Sequence, residues 1–198
     1  MAGKKRKAKV FSYEEIKSGL LGIPDQQDQF MLAASYANGT RISEVIGVKR
    51  SDVSWNPQFV YIQTPVLKKR KADIPIRGPP INRREEAGKG DAVPEGWLAS
   101  IIIGYCEGPE PSGCLVPRKE KQGRLIDYGI RTAQRRFEKY FGCTSHSFRH
   151  TRATHCFRHL GFSERFIQEY FKISPTTLVE WCERYGHVNT KDLEEKLK

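Results

Sequence analysis

The sequence predicts an α+β fold that is mainly α-helical and contains a small antiparallel β-sheet or hairpin. Most of the chain repeats apolar residues at helical spacing, and several of these runs begin at capping residues. Only two short runs have the composition of strands, and a cation-rich turn separates them. The chain has 198 residues, of which 38% are hydrophobic, enough for the core of one domain.

The charge balance indicates an anionic partner. The net charge is +11, and five cations lie within the first ten residues. We expect residues 1–10 to be a basic arm that is disordered until it binds. The rest of the chain still carries a net charge of about +6, which favours a protein that binds nucleic acid. The alternative is a protein that merely has more Lys than Glu and binds no anionic partner.

Several classes of protein are disfavoured by composition. No run approaches the roughly 18 to 20 apolar residues of a membrane span, and no apolar segment follows the charged N-terminus as in a secretory signal. The five cysteines form no Cys-x-x-Cys pair, which is typical of reduced thiols inside a cell. His155 and His159 stand four residues apart, but no neighbouring ligand pattern completes a metal site, so we interpret them as packing residues.

The first two helices are predicted from their caps. Ser12 and Glu15 form a capping-box pattern that begins a helix ending at Leu21. Pro24-Asp25 begins a second helix, which Asn38-Gly39 ends. Its predicted buried face consists of Phe30, Met31, Ala33, Ala34 and Ala37.

The two predicted strands cover residues 59–64 and 72–76, and Pro75 favours an edge position for the second. The hairpin between them has four consecutive cations at its tip, which repel one another unless an anion binds them. A solvated loop is the alternative. These cations are Lys68, Lys69, Arg70 and Lys71.

The second half of the chain is predicted to be helical again. A long loop over residues 78–96 leads to a helix over 93–105, and Ser163 caps a later helix. Residues 128–141 are amphipathic. The residues expected to face inward are Ile130, Ala133, Phe137 and Phe141, and those expected to face outward are Arg131, Arg135, Arg136 and Lys139.

The most informative stretch is residues 145–155, with the sequence SHSFRHTRATH. If it is helical, His146, Arg149 and His150 share a face. An Arg offers a planar fork of donors to a phosphate, and a His can transfer a proton near neutral pH. The alternative is a basic helix that lies on a phosphate backbone or has no role.

The order of these pieces resembles the catalytic domain of tyrosine recombinases (phage-type integrases), in the style of archaeal and mobile-element members. The similarity covers roughly residues 10–190. Its four elements are Gly39-Thr40-Arg41-Ile42-Ser43-Glu44, the hairpin Leu67-Lys68-Lys69-Arg70-Lys71 with Ile74-Pro75-Ile76, His146-Ser147-Phe148-Arg149-His150-Thr151, and Tyr185-Gly186-His187-Val188.

The chain departs from the family pattern in two places. Where relatives have Leu-Gly-His or Gly-Trp before the tyrosine, it has Phe171-Lys172-Ile173, so that Lys172 or Ile173 fills the position, with Lys172 preferred. The spacing to Tyr185 is longer than usual, which leaves Tyr170 as a remote alternative. Relatives usually carry a core-binding domain before the catalytic domain. Here residues 11–198 would be the catalytic domain alone, as an excised fragment or a minimal enzyme.

The resemblance implies a reaction and a role for each site residue. Tyr185 would attack a DNA phosphate and form a 3′-phosphotyrosine, without metal or cofactor. Arg41 and Arg149 would stabilise the transition state, and His146 would act as hydrogen-bond donor or general base. Lys68 would protonate the leaving 5′ oxygen, with Lys69 and Lys71 as rivals, and Lys172 would hydrogen-bond the phosphate. The residues expected to make DNA backbone contacts are Lys69, Arg70, Lys71, Arg131 and Arg135.

The implied partner is double-stranded DNA at an attachment site. Four protomers would act pairwise on it through a Holliday junction, with a free monomer possible, in the nucleoid and cytoplasm of a prokaryote and without a membrane. Two alternatives stay open: a DNA-binding regulator that keeps the fold without cleavage, and a type IB topoisomerase-like enzyme. A metal-dependent nuclease is disfavoured because no carboxylate cluster lies beside the His/Arg stretch.

Overall fold

Capping chemistry determines where the first two helices begin and end. In a computed structural model of the protein, the Ser12 hydroxyl accepts a hydrogen bond from the Glu15 N–H at 3.2 Å, and the Glu15 carboxylate accepts one from the Ser12 N–H at 2.7 Å. The Asp25 carboxylate accepts from the Asp28 N–H at 2.7 Å. The second helix ends at Gly39, whose φ of 54° lies in the left-handed region. These boundaries confirm the predictions.

The structure describes residues 9–64, 76–77, 79–83, 94–107, 124–160 and 162–171. The α-helices in these ranges are α1 (Tyr13–Leu21), α2 (Gln26–Asn38), α3 (Ile42–Val45), α4 (Gly96–Glu107), α5 (Ile130–Phe141), α6 (Ser145–Arg158) and α7 (Glu164–Phe171). Among them, no helix is both long enough and apolar enough to span a membrane.

A small antiparallel sheet lies beside the helices. Its strands are β1 (Val53–Trp55), β2 (Phe59–Thr64), β3 (Ile76–Arg77) and β4 (Ile81–Asn82). β2 is central, because β1, β3 and β4 all pair with it. The pairing of Thr64 with Ile76 confirms that the two ends of the predicted hairpin are neighbours. Residues 65–75, which include its basic tip and most of the predicted second strand, lie outside the described residues.

Helix α2 forms the centre of the core, packing against α1, α3, α4, α5 and α6. All five residues of its predicted buried face are buried. The helix is enclosed on its other sides too, so Tyr36 and Asn38 are also buried. The Asn38 side-chain nitrogen donates to the carbonyl of Ile62 at 3.2 Å.

Helix α5 is amphipathic, but two of its residues differ from the prediction. Ala133 and Phe137 are buried as expected. The prediction that Ile130 faces the core is wrong, since this first residue of the helix is 41% exposed. Arg136 was expected to face solvent, yet it is partly buried with Nε 3.0 Å from Oδ1 of the buried Asp28. The buried carboxylate attracts a guanidinium that periodicity alone assigns to the surface.

Candidate active site

Helix α6 carries three of the candidate side chains, and its formation over 145–158 confirms the predicted helix. His146 is exposed, Arg149 is half-buried and His150 is buried. The ring centroids of His146 and His150 lie 4.4 Å apart, so the two rings share a face, as predicted. His150 therefore supports the more accessible His146 from the core side.

Arg149 is fixed by two backbone carbonyls from different parts of the chain. Its Nη1 donates to the Gly39 carbonyl at 2.7 Å, and its Nη2 donates to the Phe171 carbonyl. The guanidinium carbon also lies 5.6 Å from the centroid of the Phe171 ring. A guanidinium has five N–H donors, so these two bonds orient Arg149 while donors are left for an anion.

Arg41 lies at the N-terminus of α3, directly after the Gly39 turn. Its backbone N–H donates to Glu44 Oε2 at 2.8 Å, and its Nη1 lies 3.5 Å from Glu44 Oε1. The Arg41 side chain is 53% exposed, whereas that of Glu44 is 9% exposed. Glu44 therefore orients Arg41, and the guanidinium still reaches solvent.

Arg41, His146 and Arg149 form one electropositive site, although 105 residues separate the first from the second. Partial desolvation lowers the pKa of His146, and the charges of Arg149 and Arg41 lower it further. Burial also lowers the pKa of Arg149, and Arg41 adds to the effect. Such mutual repulsion is relieved when an anion binds among the three side chains. The arrangement therefore suits a phosphate.

A buried polar network under α6 sets its position. Arg152 is fully buried, pairs with the Glu95 carboxylate, and donates through Nε to the Ala37 carbonyl at 3.0 Å. His155 Nε2 lies 3.0 Å from the Phe11 carbonyl, and its Nδ1 lies 2.7 Å from the Tyr36 hydroxyl. A carbonyl only accepts, so Nε2 carries the proton and Nδ1 accepts from Tyr36.

The role of this network was only partly predictable. The interpretation of His155 as a packing residue is confirmed, because it is buried and bonded on both ring nitrogens. The Arg152–Glu95 pair was missed. Nothing near Glu95 in the sequence marks it as a partner, and a cation within a basic stretch gives no sign that it points inward.

A groove of about 660 Å³ lies at the N-terminal end of α6, beside the electropositive site. His146 lines it together with three cations, Lys9, Arg131 and Arg135, and one carboxylate, Glu138. The two predicted DNA-contacting arginines of α5 thus lie next to the candidate site. The groove connects the site to a positively charged wall.

The remaining candidates fall into two groups. Those of the hairpin tip, Lys68, Lys69, Arg70 and Lys71, and those of the C-terminal segment, Lys172 and Tyr185, lie outside the described residues. The alternative nucleophile Tyr170 is described: its hydroxyl donates to the Asn38 carbonyl at 3.0 Å, and burial raises its pKa. In the part of the chain that is described, no three His, Cys, Asp or Glu side chains gather as metal ligands.

Comparison with known families identifies the chain. The model of the phage integrase family matches residues 15–191. The chain belongs to this family. The resemblance to tyrosine recombinases deduced from its motifs is thereby confirmed, and the matched range of this integrase-family chain includes all of the candidate residues. No curated protein sequence matches it significantly.

Solved structures of recombinases share the fold of this phage integrase family member. XerH site-specific recombinase bound to palindromic difH substrate, in a post-cleavage complex, has a TM-score of 0.59 at 14% identity over 96% of this chain and 52% of that one. XerA recombinase has a TM-score of 0.55 at 16% identity over 98% and 63%.

A third structure is the Tn1549 transposon integrase in complex with circular intermediate DNA, with a TM-score of 0.52 at 12% identity over 91% of this chain and 62% of that one. The chain thus spans between about half and two thirds of the length of these proteins. The mainly α-helical fold with a small antiparallel sheet is confirmed.

Proposed function

We propose that the protein carries out site-specific DNA recombination by metal-independent strand cleavage, through a covalent phosphotyrosine, and religation. The observation that carries this proposal is the meeting of Arg41, His146 and Arg149 in one accessible cationic site. The neighbours bound to difH substrate and to circular intermediate DNA support DNA as the substrate class.

The phosphate would be held by guanidinium donors that are oriented before it arrives. Arg149 is fixed through its bonds to the Gly39 and Phe171 carbonyls, and Arg41 is held by Glu44. As the phosphorus becomes five-coordinate, charge grows on the non-bridging oxygens, where such donors stabilise the transition state more than the ground state. The lowered pKa of His146 favours its neutral form, which can accept or share a proton.

The covalent step is assigned to residues of the family motif outside the described ranges. The Tyr185 oxygen would attack phosphorus and give its proton to His146 as the general base, while the bond from phosphorus to the 5′ oxygen breaks. Lys68 would give the leaving oxygen its proton, and Lys172 would hydrogen-bond the phosphate. Reversal with another strand's 5′ hydroxyl would restore a phosphodiester. Tyr170 is disfavoured as nucleophile because its hydroxyl is engaged by the Asn38 carbonyl.

A denaturing protein gel, on which only covalent protein–DNA complexes survive, tests the reaction directly. Labelled duplexes tiled across the DNA beside the coding gene, each nicked, are mixed with protein in EDTA. A covalent protein–DNA band is expected with wild type and with Tyr61→Phe, a strand tyrosine of β2, and is absent with Tyr185→Phe. A band that survives Tyr185→Phe would contradict the assignment of the nucleophile.

One observation favours a second candidate, a DNA-binding regulator without cleavage. The element before the tyrosine is Phe171-Lys172-Ile173 and lacks the family's His or Trp. Salt-sensitive binding of the tiled duplexes without any covalent band would support this function. Relaxation of a supercoiled plasmid that carries none of these sequences would instead support a topoisomerase-like activity.

We also propose that the groove beside α6 carries DNA backbone. Arg131→Gln and Arg135→Gln should each weaken binding to all duplexes by about threefold to tenfold and reduce the salt dependence by about one counterion, since each removes one phosphate contact. Lys139→Gln is the matched control, because it removes one charge from the same helix outside the groove. Equal effects of all three substitutions would argue that only net charge matters.

Residues 11–198 are proposed as the catalytic domain, preceded by the basic arm of residues 1–10. On DNA we propose a homotetramer that acts through a Holliday junction. Light scattering of the protein with and without a duplex that gives the covalent band would test the assembly.

A further inference from the structure

The C-terminus of α7 docks on the turn that connects α2 to Arg41. The Tyr170 hydroxyl donates to the Asn38 carbonyl at 3.0 Å. The Phe171 ring lies so close to Gly39 that a Cβ there would be 2.4 Å from its Cε1 atom. The next residue after this contact, Thr40, leads into Arg41. One end of α7 therefore presses on the backbone that precedes a candidate catalytic residue.

The same end of α7 also reaches Arg149, because the Phe171 carbonyl accepts from its Nη2. The Gly39 carbonyl accepts from Nη1 of the same side chain at 2.7 Å. The two carbonyls that accept from Arg149 thus belong to the two segments in contact, the Gly39 turn and the end of α7. Any shift of α7 relative to the turn changes the distance between the two carbonyls and with it the plane of the guanidinium.

Packing makes this docking rigid. Phe171 and Ile167 are buried in a small cluster with Ala153 and Cys156 of α6. Along α7 the ring of Phe166 stacks on Tyr170, with centroids 5.8 Å apart and planes inclined by 4°. Because rings and aliphatic groups close the space behind it, the Tyr170 hydroxyl has a defined direction toward Asn38.

We propose that Tyr170 is a positioning residue for Arg149: through its bond to the Asn38 carbonyl, it fixes α7 against the Gly39 turn so that two carbonyls orient the guanidinium toward the scissile phosphate. Tyr170 does not touch the phosphate in this arrangement. The inference rests on the proposed function, and it adds a residue that the motif pattern assigns, at most, as a remote alternative nucleophile.

The effect should be specific to the charge of the substrate phosphate. A fixed guanidinium accelerates the reaction by stabilising the growing negative charge on the non-bridging oxygens. A methylphosphonate at the scissile position replaces one of those oxygens by a methyl group and removes its charge. Loss of Arg149 orientation should therefore slow cleavage of the phosphodiester much more than cleavage of the methylphosphonate.

The test compares Tyr170→Phe with Tyr105→Phe. Tyr105 is a matched control, because its buried hydroxyl also donates to a backbone carbonyl, that of Leu125 at 2.8 Å. Tyr105 lies on α4, away from the site. The rate of phosphotyrosine formation is measured for both substrates, with Arg149→Ala as the reference for a missing guanidinium. Tyr170→Phe should lower the phosphodiester rate about 10-fold to 100-fold. The ratio of the phosphodiester rate to the methylphosphonate rate should fall, as is expected for Arg149→Ala.

A ratio unchanged from wild type, or the same shift in Tyr105→Phe, would overturn the proposal. If wild type forms no covalent bond with either substrate, the proposed function fails. The positioning of Arg149 by Tyr170 is then tested in the free protein by NMR. There the ¹⁵N resonances of the Arg149 Nη groups, assigned with Arg149→Lys, should show hindered rotation in wild type and Tyr105→Phe and faster rotation in Tyr170→Phe. Unaltered rotation in Tyr170→Phe would also refute the positioning role.

Discussion

Arg152 and Glu95 form an ion pair in which the side chains are 0% and 1% exposed, between the candidate catalytic helix and the start of α4. The Arg152 guanidinium also lies 5.1 Å from the centroid of the Tyr36 ring and donates to the Ala37 carbonyl. Two charges without access to water depend on each other and on these further contacts. The pair consequently fixes the position of α6 against α2 and α4.

Removing one charge of this pair should destabilise the fold strongly. Glu95→Gln leaves the Arg152 guanidinium buried without a counterion and should lower the free energy of unfolding by about 3–5 kcal/mol. Urea unfolding followed by circular dichroism measures the loss. The double variant Arg152→Met/Glu95→Gln removes both charges and should lose less than Glu95→Gln alone. A double variant that is less stable than the single one would contradict this account.

Gly39 should tolerate no side chain, for two separable reasons. Gly39→Ala places a Cβ at a φ of 54°, which costs about 1–2 kcal/mol for the left-handed conformation. The same Cβ collides with the Phe171 ring, which adds about 1–3 kcal/mol of overpacking. Gly142→Ala is the matched control, since its φ is 59° but a Cβ there meets nothing within 4 Å. Equal losses in thermal unfolding would show that the contact with Phe171 is unimportant.

The buried Asp28 carboxylate should be a structural hub. It accepts from the Tyr128 hydroxyl at 3.0 Å and from the Tyr140 hydroxyl at 3.1 Å, and Arg136 Nε lies 3.0 Å away. Asp28→Asn removes the charge and one acceptor oxygen, and should cost about 1.5–3 kcal/mol. Tyr140→Phe removes one donor and should cost about 1 kcal/mol. Denaturant midpoints compare them, and a greater loss in Tyr140→Phe would argue against the hub.

The pKa of His146 should lie below its ordinary value near 6.5, because partial desolvation and then the charges of Arg149 and Arg41 lower it. Titration of its ring protons by NMR measures the midpoint. Arg149→Gln should raise the pKa by removing a neighbouring cation, and bound DNA should raise it by adding an anion. The pKa of His146 is lower in the folded protein than in the unfolded chain, so the unfolded chain binds the proton more readily. This group therefore begins to lower the free energy of unfolding only as the pH falls below about 6.5. A midpoint above 6.5 in the free protein would contradict the geometry.

The features that could be predicted from the sequence are those set by neighbours along the chain. Ser12 and Glu15 are three residues apart, and the Asn38-Gly39 stop acts on its own helix, so caps and boundaries were correct. The ordered motifs identified the family because each is short and contiguous. Ile130 was misplaced since helical periodicity indicates a face but not whether a helix end reaches the core.

The features that were missed depend on distant partners. Glu95 lies 57 residues from Arg152, and Asp28 lies 112 residues from Tyr140. The carbonyls that orient Arg149 leave no trace in residue identity, because every residue has one. Gly39 was predicted as a helix stop, and its close approach to Phe171 became visible only once α7 was seen to pack there.

Residues 9–11 lie along α6, which follows them late in the chain. The Lys9 N–H donates to the Ser147 hydroxyl and the Phe11 N–H donates to the Thr151 hydroxyl, over separations of 138 and 140 residues. A nascent chain that stops short of α6 leaves these early donors without their partners and also lacks His146 and Arg149. During synthesis, therefore, the site of Arg41, His146 and Arg149 is assembled only together with the long-range contacts that hold residues 9–11 against α6.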